Sequence, residues 1–126
     1  MFSQYDGLST IRFEPPHVIN DHQYDYPIEL TYVINSEYNN STVTYHLRTY
    51  ILHKMLGVSD NQLVYWDTAE KQLIRGLTKV MFSIGMPFEF TINYIYEDFN
   101  DLLAGVYADW IVTVPSAPCS EEDPQP

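Results

Sequence analysis

Cysteine is nearly absent from this chain, with one in 126 residues. A single thiol excludes an intramolecular disulfide framework and a cysteine-based zinc site. Basic residues are scarce too: six Lys and Arg stand against 17 Asp and Glu, for a formal net charge of −11. That balance excludes ordinary nucleic-acid binding, in which basic side chains neutralise phosphates. No hydrophobic run approaches the ~20 residues of a membrane span, and no charged-then-apolar leader is read at the start. A Gly-rich phosphate loop, a G-x-S-x-G elbow and a cysteine beside a plausible base are all missing. Cys119 stands in a tail where nothing would fix an oxyanion site. Neither an enzyme, a cofactor nor a membrane partner is expected.

What remains is material for one packed domain, since 45% of the residues are apolar and 18% charged. The charge is uneven. Residues 1–40 carry a net −5, residues 41–84 a net +2, and residues 85–126 eight acids with no Lys or Arg. Aromatics make up 15% of the chain, including 11 Tyr. Tyr5, Tyr24, Tyr26, Tyr38 and Tyr65 fall in or beside expected loops, and tyrosine there suits an interface, where a large ring with a polar tip is favoured.

Periodicity predicts an α+β fold: a mainly antiparallel sheet of four or five strands with two helices packed on one face. The first helix is expected over Ser41–Met55, where Val43, Leu47, Tyr50, Ile51 and Met55 recur at helical spacing, although Thr42, Val43 and Thr44 would also suit a strand. The second is expected from an Asp67–Glu70 capping box, along the face formed by Leu73, Ile74, Leu77, Val80, Met81 and Ile84, to a stop at Gly85 and Pro87. Strands are expected at Phe88–Tyr96 and Val106–Val114, near Ile28–Tyr32, and in shorter form at Thr10–Glu14 and Leu63–Trp66. Asn35–Asn40 reads as a polar turn. Residues 1–114 then form a single domain with an irregular arm at 15–27, and 115–126 a flexible, acidic, proline-rich tail.

Two groups of possible ligands are present. His17, Asp21, His22 and Asp25 have metal-binding chemistry, but their spacing in a proline-rich loop matches no metal motif. Glu97, Asp98 and Asp101 cluster between two strands without a nearby His or Lys, which does not favour catalysis. His46 and His53 would share a helix face, too few for a tetrahedral site. No metal is expected.

The stronger pattern is a basic ridge. Lys71, Arg75 and Lys79 step four residues at a time along one side of the second helix. In so acidic a chain the nearest acidic surface is another copy, with Glu89, Glu97, Asp98, Asp101 and Asp109 as candidate partners and Tyr24 and Tyr26 as further contacts. A small acidic protein that mimics DNA and inhibits a host defence nuclease is the alternative reading.

The stretch Glu97-Asp98-Phe99-Asn100-Asp101-Leu102-Leu103-Ala104-Gly105, the strand to Val114-Pro115 and the late Cys119 resemble a C-terminal pattern of small neck and tail structural proteins of tailed bacteriophages. Here Val106 follows Gly105 directly, and the aromatic that commonly follows the glycine is delayed to Tyr107. The resemblance implies a non-enzymatic virion component made in the host cytoplasm, such as a ring-forming connector or tail-completion protein. Its partners would be copies of itself in a ring and other virion proteins. Rings need unlike faces that meet head to tail, which a basic middle and acidic flanks would supply.

Overall fold

A computed structural model describes residues 2, 7–16, 19, 24–55, 62–96 and 103–115. Five strands, β1 (Thr10–Arg12), β2 (Ile28–Tyr38), β3 (Thr42–Lys54), β4 (Thr91–Tyr96) and β5 (Leu103–Pro115), form one sheet with one long helix, α1 (Gln62–Ile84). The strand order is β1-β2-β3-β5-β4. β1 runs parallel to β2, and every other pair is antiparallel. The fold is therefore α+β with a mixed, mostly antiparallel sheet. No helix among the described residues is long and apolar enough to cross a membrane.

The helix expected over Ser41–Met55 is not formed; the segment is the central strand β3, paired along its length with β5 and β2. The physical reason lies in the spacing. Val43, Leu47 and Ile51 recur every four residues, and four satisfies a strand's period of two as well as a helical turn. Local chemistry then decides, because the β-branched Thr42, Val43, Thr44 and Thr49 fit a pleated surface better than a helix. Tyr50 and Ile51 are both buried although adjacent, since both faces of β3 are covered there.

α1 begins at Gln62, so Asp67 lies inside it and does not cap it, and Leu63–Trp66 is its first turn and not a strand. Its end matches the expectation. Gly85 adopts a φ of 73°, and its N–H donates to the Met81 carbonyl at 3.0 Å, the left-handed stop that glycine makes without steric cost. The expected strand at Phe88–Tyr96 is shorter, as β4 starts at Thr91; Phe88 instead stacks on Trp110 at 4.7 Å. The expected turn at Asn35–Asn40 is confined to its end. Residues 35–38 pair with β3 beyond a bulge at Ile34, and the Asn39 side chain accepts from the N–H groups of Ser41 and Thr42.

Apolar clusters lie on both faces of the sheet. Beneath α1, Leu47, Ile51, Val106, Ala108 and Trp110 meet Ala69, Leu73, Leu77 and Val80. Leu73, Leu77, Val80 and Trp110 are buried as expected, whereas Phe90, Ile92 and Val112 are half-buried against that cluster. On the other face, Ile28, Leu30, Tyr50, Leu52 and Leu103 pack with Ile19, Tyr24 and Tyr26. Gly105 sits where β5 passes closest to β3: a Cβ there would lie 2.0 Å from the Ile51 carbonyl oxygen. The Leu103-Ala104-Gly105 triplet thus opens a core strand whose pairing needs a bare Cα.

Candidate interaction surfaces

The ridge residues lie along α1, but their surroundings differ. Lys71 is exposed and forms an i,i+4 ion pair with Asp67 at 2.9 Å. Arg75 is exposed and Lys79 half-buried. The helix therefore has an acidic first half, with Asp67 and Glu70, and a basic second half, with Arg75 and Lys79.

The expected acidic partners are scattered. Glu89 is exposed just past α1. Glu97, Asp98 and Asp101 lie outside the described residues, as do His17, Asp21 and His22 of the candidate ligand group. Asp109 is on the sheet face away from α1, where it grips Arg48 in a bidentate pair with Nε–Oδ1 at 2.6 Å and Nη2–Oδ2 at 3.0 Å. The Arg48 guanidinium lies 4.7 Å over the Tyr107 ring, and Tyr107, Tyr50 and Tyr32 continue as a row of neighbouring rings. Asp109 is thus satisfied within its own subunit. Tyr24 and Tyr26 are half-buried against the cluster on that face, and Tyr24 donates to Glu14 at 3.2 Å.

His46 and His53 do not share a face, because seven residues along a strand, unlike a helix, put them on opposite sides. His46 faces Glu37, its Nε2 3.5 Å from Oε2. His53 lies under α1, its Nε2 2.8 Å from Gln72 Oε1, and burial lowers its pKa. Among the described residues no three His, Cys, Asp or Glu side chains gather as a metal site would require.

Sequence reasoning missed the two ends of α1. At its start Leu63 and Val64 are 65% and 59% exposed beside a cleft lined by Trp66, Asp67, Glu70 and Tyr94. Trp66 Nε1 donates to the Ile95 carbonyl at 3.0 Å and Tyr94 donates to Glu70 at 2.5 Å, so β4 fixes the cleft wall. At its end Phe82 is 83% exposed, beside a second apolar cleft lined by Thr78, Met81, Gly85, Met86 and Pro87. The signal was present in the sequence: Leu63, Val64 and Phe82 fall off the apolar stripe that Leu73, Leu77 and Val80 define.

Glu29 was missed as well. In Ile28-Glu29-Leu30-Thr31-Tyr32 the alternation suggests a polar, solvent-facing side, yet Glu29 is only 2% exposed and Thr31 9%. Thr31 donates to Glu29, Thr49 lies 2.9 Å from Thr31, and Trp110 Nε1 donates to Thr49 at 2.9 Å. With the Thr31 proton on Glu29, Thr31 can only accept from Thr49, whose oxygen accepts from the indole, so one chain of donors ends at the carboxylate. Burial still dominates, raising the pKa of Glu29 from 4.5 to about 7 against the opposing pull of Thr31. Folding therefore favours the neutral acid. Its stabilising effect is full below the ordinary value of 4.5 and is lost, by about 3 kcal/mol, as pH rises through about 7.

No protein-family model matches the chain, and no curated protein matches it significantly.

Proposed function

We propose that this chain is a non-enzymatic virion subunit of the neck or tail of a tailed phage, closing a ring through head-to-tail contacts between copies. The observation that carries the reading is the pair of unlike, exposed apolar patches at the two ends of one helix. A helix of 23 residues sets its ends about 34 Å apart. A contact between different patches on neighbouring copies is heterologous and generates a ring when its rotation closes. Phe82 of one copy supplies a projecting ring, and the Leu63–Trp66–Tyr94 cleft of the next supplies a receptor for it. Charge supports the same pairing, since Arg75 and Lys79 flank the donor end and Asp67 and Glu70 the receptor end. Asp109, held by Arg48 within its own subunit, is no partner in this arrangement, whereas Arg75 and Lys79 are.

The phage assignment rests on the C-terminal resemblance, of which Leu103–Pro115 is described as strand β5. Other virion proteins are then the further partners, with no role for a cofactor, a membrane or sequence-specific nucleic-acid contact. Mass spectrometry of purified particles of the phage that encodes the chain tests this reading. The protein is expected in fixed copy number, and Arg75→Glu is expected to lower its incorporation while leaving the subunit folded. Absence from particles, with recovery of a one-to-one complex with a host nuclease, would favour the DNA-mimic alternative.

A further inference from the structure

Between β1 and the far end of α1 lies a cleft of about 430 Å³ whose walls are Phe2, Ile11, Phe13, Leu47, Val80 and Trp110. That volume lies in the range of small-molecule sites. Phe2 is held there because Gly76 leaves room: a Cβ on Gly76 would stand 2.0 Å from the Phe2 ring. Phe13 is 67% and Ile11 40% exposed at the rim, so an occupant would cover apolar surface that water now touches. The polar groups in this apolar lining are Arg12, Glu29 and Thr31, and Glu29 is almost wholly buried.

A carboxylate in such surroundings is normally paired with a cation. Arg12, in the same lining, is committed elsewhere: its Nη2 binds Glu14 at 2.7 Å and its guanidinium lies 5.5 Å over the Tyr24 ring. Burial and Thr31 are the influences on Glu29. Meanwhile one donor reaches the carboxylate, the Thr31 hydroxyl, backed through Thr49 by the Trp110 indole, and it favours the charged form. Above about pH 7 Glu29 is therefore a buried negative charge, and among the described residues no cation pairs with it.

We infer that this cleft binds a small organic ammonium ion, an alkyl or arylalkyl amine whose cationic head pairs with Glu29 and whose apolar body lies against Trp110, Leu47, Val80 and the phenyl rings. A neutral ligand of the same shape gains the apolar contact but leaves the carboxylate unpaired. The inference does not depend on ring assembly, because the cleft lies on the sheet-facing side of α1, where Val80 is buried, whereas Phe82 projects to solvent.

Titration calorimetry with 2-phenylethylammonium chloride, against the neutral 2-phenylethanol, tests it. At about pH 8 the amine is expected to bind at least about tenfold more tightly than the alcohol. The preference should shrink in mild acid as Glu29 takes up a proton, and Glu29→Gln should abolish it while retaining weak binding of the alcohol. Should that variant fail to fold, carboxyl-carbon NMR of the unaltered protein gives the answer, with saturating amine lowering the pKa of Glu29 by at least about one unit, the equivalent of that tenfold preference. Equal affinity for amine and alcohol, a preference that survives Glu29→Gln, no binding of either probe at millimolar concentration, or an unmoved Glu29 pKa would each overturn the inference.

Discussion

In the middle of α1, Leu73 and Leu77 have no exposed surface, while at its ends Leu63, Val64 and Phe82 are between 59% and 83% exposed. The same helix thus holds two kinds of apolar residue. Those in the middle meet β3 and β5 and belong to the core of one subunit. Those at the ends stay largely exposed beside clefts, and the proposed assembly rests on them, since large exposed apolar patches suit contacts with another protein. The acidic first half and basic second half of the helix repeat the division in charge. Hydrophobicity alone does not separate fold from assembly here; position along the helix does.

Two substitutions probe that division. Leu77→Ala removes a fully buried side chain between helix and sheet and is expected to lower unfolding free energy by about 2–5 kcal/mol, measured by urea denaturation of the monomer. A loss under about 0.5 kcal/mol would place the middle of α1 among the surfaces, since that is the scale of ordinary surface changes. Phe82→Asp alters an exposed ring and is expected to shift the same monomer stability by no more than about 0.5 kcal/mol. A loss approaching that of Leu77→Ala would assign Phe82 to the core and erase the contrast.

The legible parts of this fold were those whose spacing admitted one reading. Leu73, Leu77 and Val80 include a step of seven, and an odd interval cannot stay on one strand face, so α1 was readable from its stripe. Ile28–Tyr32 and Val106–Val114 alternate cleanly and are strands. Val43, Leu47 and Ile51 step by four, which both periods allow, and β3 was accordingly misassigned as a helix. Its neighbours β2 and β5 settle the matter, Asp109 pairing with Arg48 across 61 residues of chain, and that pairing is not written locally. The basic ridge was legible because it is local to one helix. Its partners were not, because Asp109 is neutralised across the sheet by Arg48. Glu29 was hidden for a related reason: alternation assigns a polar residue to water, and nothing in Ile28–Tyr32 announces that Thr49 and Trp110 will enclose it.

Assembly through the helix ends is the claim on which the functional reading turns, and native mass spectrometry of the isolated protein and of Phe82→Asp tests it most directly. The account predicts a closed homo-oligomer of one copy number for the unaltered chain and a folded monomer for Phe82→Asp. An unaltered chain that stays monomeric at every concentration, or an oligomer that Phe82→Asp leaves intact, would contradict it.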